Sequence, residues 1–314
     1  MPRTTSYHRA LIPFPVLCLV AATACWGAGT VVTKQVLDDV DPLPLLAVQL
    51  AASCVFLALM RLGSRARVRG IRRTSSASNW RLTALGVLNP GLAYALGLLG
   101  LSRITASMSV LLWAAEPVLI IVFAVAVLSE HVPLARAAAL AVAVCGVVLV
   151  VYQPDASGDA LGVLLTLGAV GACAMYTVLT RLLLLDDAAV GVVLVQQVAA
   201  LLFAVTLAVG ARLIPGQDWS LGSLDATTWF AAAGSGILYY GLAFWLFLAG
   251  LRHVPATFAG AFIPLTPVFG VAVAYLADER LNGRQWAGAV LVIGATAGAA
   301  IHQLLREAAE LSKD

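Results

Sequence analysis

GLAYALGLLGL, residues 91–101, and GLAFWLFLAGL, residues 241–251, are two copies of one segment set 150 positions apart. At that offset Gly91-Leu92-Ala93-Tyr94 meets Gly241-Leu242-Ala243-Phe244 and Gly100-Leu101 meets Gly250-Leu251, while Leu96, Leu98, Ala106 and Pro117 meet identical residues at Leu246, Leu248, Ala256 and Pro267. Glycine and proline identities weigh most, because an apolar chain matches itself at leucine by accident. A small slip extends the match: Leu128-Ser129-Glu130-His131 pairs with Ala277-Asp278-Glu279-Arg280, and Thr30-Val31-Val32-Thr33-Lys34 pairs with Thr177-Val178-Leu179-Thr180-Arg181. The chain is a duplication.

Of its 314 residues, 61% are hydrophobic and only 11% charged, against about a quarter charged in a soluble domain. Charge near a bilayer centre costs about 2.5–3.5 kcal/mol on insertion scales, so charge-free stretches close to 20 residues mark spans. Ten such intervals exist: Arg9–Lys34, Asp41–Arg61, Arg81–Arg103, Arg103–Glu130, Arg136–Asp155, Asp159–Arg181, Asp187–Arg212, Asp225–Arg252, Arg252–Asp278 and Arg284–Arg306. Each can cross a bilayer as a helix. Long runs such as Ala137 to Val151 do not alternate, which excludes a β-barrel. The expected fold is therefore an all-α integral membrane protein of ten transmembrane helices in two five-helix repeats, residues 16–153 and 160–305, with a segment 1–15 before and a tail 306–314 after.

The N-terminal stretch, Arg3 and Arg9 before an apolar run and Ala22-Thr23-Ala24 after it, has the outline of a cleaved signal. Apolar sequence continues to Val32 and has a counterpart later in the chain, which favours a retained span. Arg61, Arg65, Arg67, Arg69, Arg72, Arg73 and Arg81 crowd one loop, and the positive-inside rule places it in the cytoplasm. Both termini are then expected on the cytoplasmic side of the plasma (inner) membrane, leaving Lys34, Arg103, Arg212, Arg280 and Arg284 outside with the acidic segments 38–41 and 155–159. Topology accounts for the Arg-rich loop, so no nucleic-acid partner is expected; contact with anionic lipid is the secondary role. Because five spans per copy is odd, the second copy enters from the opposite side, an arrangement that puts a carrier's site near the midplane between copies.

Trp26-Gly27, Glu116-Pro117, Glu130, Pro267, Glu279, Gly288 and Gly294, taken with the repeat, resemble the EamA-type ten-helix members of the drug/metabolite transporter superfamily over about Val16 to Leu305. The resemblance implies ten helices around a central cavity, with cargo ranging over amino acids, sugars, nucleotides and amphipathic compounds. It implies a small-molecule transporter, and by family habit an exporter, but no particular cargo.

Glu116 is the only acid in the middle of a span, so it faces the protein interior or water. Pro117 removes a backbone N–H and opposes the carbonyl of Trp113, loosening the helix at that depth. Two roles stand open: Glu116 binds a cationic group or exchanges a proton, or it is a protonated carboxyl tying two helices. Its repeat counterpart is Thr266, so packing of the repeat does not demand the acid. Trp113 shares its helix face. Asn89 precedes Pro90-Gly91 in mid-span, with Tyr239 as its counterpart, and both are expected to approach one central cavity from opposite halves. Tyr94, Tyr240, Trp26 and Tyr176 are too deep for an interfacial belt and are further cavity candidates, core filling being the alternative. Gln49, Ser53, Gln196 and Gln197 are inward-facing candidates or interhelical glue. Pro117, Pro90, Pro267, Gly91 and Gly241 are hinge and packing candidates. Glu130 and Glu279 are expected to favour the dipole of the following helix. Ala137, Ala141 and Cys145, with Gly294 and Gly298, are expected packing surfaces that could also form a homodimer.

The five cysteines lie inside spans without CxxC spacing and read as small packing residues. The sequence lacks GxxxxGK[ST], HExxH and GxSxG patterns, so no cofactor, no metal and no enzymatic role are expected. The competing readings are a membrane-embedded enzyme, which would call for two convergent catalytic groups, and a channel or non-transporting sensor.

Overall fold

The computed structural model describes residues 13–65, 80, 83–128, 134–151, 159–183, 189–213, 224–251 and 262–311. The Arg-rich loop, Glu130, His131 and Arg252 fall outside them. Every regular element among the described residues is helical: α1 (Pro13–Val36), α2 (Pro42–Arg65), α3 (Thr83–Leu101), α4 (Ala106–Trp113), α5 (Glu116–Leu128), α6 (Leu134–Val151), α7 (Ala160–Leu183), α8 (Ala189–Arg212), α9 (Ala226–Gly250), α10 (Leu265–Leu276) and α11 (Gly283–Leu311). Seven segments are long and apolar enough to cross a membrane, one of them made of α4 and α5 together, and two shorter apolar helices, Ala141–Val150 and Leu265–Leu276, accompany them. This is a multi-pass membrane protein.

The helix starts follow the sequence. Pro42 opens α2, where a missing N–H costs nothing. Thr105 caps α4 by accepting from Met108 N at 3.2 Å, and Asp225 caps α9 by accepting from Thr228 N at 2.8 Å. Asn282 and Gln285 exchange bonds of 2.9 and 3.0 Å in a capping box before α11. Asp159 accepts from Gly162 N at 3.1 Å and pairs with Arg103 at 2.7 Å.

The Arg103 guanidinium and then the Gly162 N–H hold the Asp159 carboxyl below the usual carboxylate range. A carboxyl lowered on folding adds stability that is complete above its unfolded value and is lost as pH falls through its folded value. Acid should therefore weaken the wild type more than Asp159→Asn, and the two stabilities should converge once the pH has fallen below the folded value of Asp159, as read by detergent-solubilised melting.

Side chains sort as a lipid solvent requires. On α8 the apolar Val195, Val198, Leu202, Val205 and Val209 are exposed along one stripe, while Gln196, Gln197, Ala200, Ala204 and Ala208 are buried on the other. Packing is organised by exchange of halves. α3 packs on α7 and α9 on α1; α4 and α5 pack on α7 and α10 on α1; α3 packs on α8 and α9 on α2. Three further pairs join like with like: α2 with α8, α4 with α10, and α6 with α11.

The glycines at these crossings obey the same exchange. A Cβ on Gly86 of α3 would sit 2.5 Å from the Gln196 carbonyl oxygen, and one on Gly236 of α9 would sit 2.5 Å from that of Gln49. Gly91 faces the Phe203 ring and Gly241 the Phe56 ring. Gln49 and Phe56 lie 147 positions before Gln196 and Phe203, the offset of the first-span match. Between α6 and α11 the close approach runs through Gly146 and Gly288, each against the other's carbonyl. Gly294 and Gly298, expected as a packing surface that could also form a homodimer, face open space within this chain.

Candidate functional site

Three breaks among the described residues shape the middle of the bundle. In α3 the segment Val87–Leu92 is a kink between two helical stretches, and in α9 the segment Ile237–Leu242 is a π turn, at the same 150-residue offset as the sequence repeat. The first has a local cause: Pro90 lacks an N–H and disfavours helical geometry before it, so Asn89 is extended at φ −145°, ψ 120°. The second has no proline; the Tyr240 carbonyl accepts from Gln197 Nε2 at 2.9 Å, a side chain supplying what the widened turn withholds. The third break is the turn Ala114–Ala115 between α4 and α5, just ahead of Pro117. Glu116 thereby becomes the first residue of a half-helix, at the positive end of its dipole.

Four aromatic side chains meet between these breaks. Tyr94 stacks on Trp113 with centroids 5.5 Å apart and meets Tyr239 and Tyr240 edge-on at 5.6 and 4.9 Å; Tyr239 and Tyr240 lie 4.9 Å apart. With Thr30, Thr33, Gly97, Leu98, Leu101 and Ser109 they line a cavity of about 30 Å³. That holds a water or two. The wall draws on α1, α3 and α4 from one half and α9 from the other.

Glu116 does not line this cavity but borders its aromatic group. Its Oε1 accepts from Cys173 Sγ at 3.2 Å, and its carboxyl interacts electrostatically with Tyr94 and Tyr239. Cys173 comes from α7 of the other half. Cysteine inside a span predicts a small packing residue, and as the counterpart of Trp26 at the 147-residue offset Cys173 carries no sign in sequence of an acid partner.

The remaining candidates sit around this centre. Trp26 is half-buried, edge-on to Phe244 at 5.3 Å and tilted to Phe247 at 5.5 Å, in the contact of α1 with α9. Its Nε1 is buried without a partner, as is Oγ1 of Thr266. Tyr176 donates to Gln196 Oε1 at 2.9 Å. Asn89 is buried at the kink of α3, its Oδ1 unpaired, and is not part of the cavity wall. Pro90, Gly91, Gly241 and Pro267 are buried at crossings. The glutamines and Ser53 act as glue: Gln49 Nε2 donates to Thr33 and Ser235 at 3.0 and 2.8 Å, and Ser53 donates to Gln197 at 2.6 Å.

Glu279 does something different from what its position in sequence suggests. Its two carboxylate oxygens accept from Ala106 N at 2.9 Å and Ser107 N at 2.8 Å, so it caps α4 of the other half and not the helix that follows it.

The model of the EamA-like transporter family matches residues 13–152 and again 160–301. A solved structure titled "Crystal structure of protein" is similar in fold, with a TM-score of 0.61 at 19% identity, covering 90% of this chain and 97% of that one. No curated protein matches in sequence.

Proposed function

The chain belongs to the EamA-like transporter family of the drug/metabolite transporter superfamily, and from that premise we propose that it is a secondary transporter. It moves a small metabolite, an amino acid or related amphipathic compound, outward across the plasma membrane by alternating access at the central cavity. The observation that carries the proposal is the aromatic cavity at the junction of the halves, with Glu116 beside it.

Ten spans in two inverted repeats are supported by the exchange-related packing and by one chain of contacts. Lys34, near the C-terminal end of α1, donates to the carbonyls of Leu101 and Ser102; the adjacent Arg103 pairs with Asp159 at the start of α7. The end of the first helix in one half thus neighbours the beginning of the first helix in the other, as opposed insertion requires. The positive-inside rule makes this end the outer one and puts both termini in the cytoplasm.

The wall favours an amine. Among the described residues no cationic side chain lines the cavity, so an anionic group entering it would find no countercharge. Aromatic faces attract cations, and the Glu116 carboxyl adds an opposite charge. A ligand site takes about 300–1,000 Å³; loading a cargo therefore requires the bundle to open.

Flux through the purified protein in liposomes tests the proposal, against a panel of amino acids and amphipathic amines with and without a pH gradient. Transport of at least one amine-bearing compound, altered by the gradient, is expected. No flux across the panel would overturn the carrier reading in favour of a sensor or enzyme.

A further inference from the structure

We propose that the strap Leu101–Ser107, which joins α3 to α4, is the gate at the outer end of the cavity, and that three polar clasps hold it shut here. The consequence for cargo and the assignment of this end to the outside rest on the proposed transporter and its topology; the clasped strap itself is a matter of geometry.

The strap adjoins the cavity at both ends, since Leu101 and, just past its far end, Ser109 belong to the cavity wall. Each clasp comes from a different element. Lys34 Nζ of α1 donates to Leu101 O at 3.1 Å and Ser102 O at 3.3 Å. Arg103 pairs with Asp159 ahead of α7 at 2.7 Å. Glu279, in the turn between α10 and α11, accepts from Ala106 N and Ser107 N. Two of the three clasps cross from one half to the other, so the halves cannot swing apart at this end while the strap stays clasped.

The clasps are unequal. Arg103 and Asp159 are 46% and 32% exposed, and an ion pair so placed in water contributes little. Glu279 instead gives both oxygens to two successive N–H groups of a helix start, charge-assisted and favoured by the dipole. Its turn is braced for that reach. Asp278 takes a left-handed φ of 64°, which an aspartate tolerates. Glu279 N donates to Ala274 O at 3.0 Å, and Arg280 lies 4.0 Å over the Tyr275 ring while bonding Asp278 at 3.1 Å. Glu279 is therefore the clasp whose loss opens the gate.

The test places Ser109→Cys in full-length protein whose Cys18, Cys25, Cys54, Cys145 and Cys173 are replaced by serine or alanine, and measures labelling in intact cells by a charged, membrane-impermeant methanethiosulfonate. Labelling from outside should be slow with Glu279 present and roughly tenfold or more faster in Glu279→Ala, as loss of a charge-assisted bond predicts. Glu279→Gln, which keeps one acceptor and adds a donor facing an N–H, should fall between. An unchanged rate in membrane-inserted Glu279→Ala, or acceleration only for reagent supplied from the inner side, overturns the proposal. Should Glu279→Ala not reach the membrane, Lys34→Ala, which frees the other end of the strap, must show the acceleration, and an unchanged rate there overturns it equally. Labelling needs no cargo. A failed gate with intact flux leaves the transporter reading standing, and a working gate without flux does the reverse.

Discussion

Glu116→Gln should reach the membrane at the wild-type level and lose about 10- to 100-fold in transport, together with the response to a pH gradient. Charge-assisted contacts contribute about 1.5–3 kcal/mol, which corresponds to a loss of that size. The amide keeps the size of the side chain and an oxygen able to accept from Cys173, so the helix tie at 3.2 Å survives while the titration and the negative charge do not. Glutamine therefore separates the two readings of this residue. If the carboxyl only bridges α5 and α7, flux and its pH profile remain as in the wild type. If it holds a cationic group or a proton, both change. Equal flux with an unchanged pH profile in a well-expressed variant would leave Glu116 a structural residue.

The two halves explain why this position carries the specialisation. Glu116 of the first half with Cys173 of the second corresponds to Thr266 of the second half with Trp26 of the first, and at that exchanged contact the Thr266 hydroxyl and the Trp26 N–H lie buried with no partner. The framework is duplicated and the chemistry is not. A carrier needs this combination: like crossings to let the halves rearrange about one centre, and an asymmetric lining to bind something that is not symmetric.

Much of the framework was legible because it is written in short-range signals. Charge spacing marked a chain of apolar helices, seven of which are long and apolar enough to cross a membrane, and the glycines of GLAYALGLLGL returned as close crossings at the offset read from the sequence. The Pro90 break followed from proline chemistry, whereas its partner around Tyr240 could not be read, since the bond that satisfies it comes from Gln197 on another helix. Glu279 shows the same limit. A helix start was foreseen as its partner, but sequence offers only the next helix, and the actual one lies 173 residues away. Cys173 was hidden because nothing in a cysteine's neighbours along the chain reports an acid across the bundle. The four-residue spacing of Gly294 and Gly298 did not mark the contact within the chain, where α6 and α11 meet at Gly146 and Gly288.

The crossings of the duplicated helices should also be the most sensitive positions in the fold. Gly236→Ala would put a methyl group 2.5 Å from the Gln49 carbonyl oxygen, and Gly86→Ala would put one 2.5 Å from that of Gln196. In both cases the obstacle is backbone of a neighbouring helix, which cannot turn aside as a side-chain tip can. Gln49 is also bound to Thr33 and Ser235, so a displaced α2 would give up interhelical bonds as well. Overpacking of this kind costs about 1–3 kcal/mol and here should reach the upper end. Gly234, two residues before Gly236 on α9, supplies the control, because a Cβ there meets nothing within 4 Å. Alanine is favoured over glycine in a helix by about 1 kcal/mol, so Gly234→Ala should leave stability unchanged or raise it. Melting of the detergent-solubilised protein by size-exclusion chromatography should therefore separate the variants by sign: Gly86→Ala and Gly236→Ala lower, Gly234→Ala equal or higher. The duplication further requires the first two to fall by similar amounts. A wild-type melting point for Gly236→Ala would show that α2 and α9 do not approach as closely as the fold places them, and with them the exchange-related crossing of α3 and α8 would lose its support.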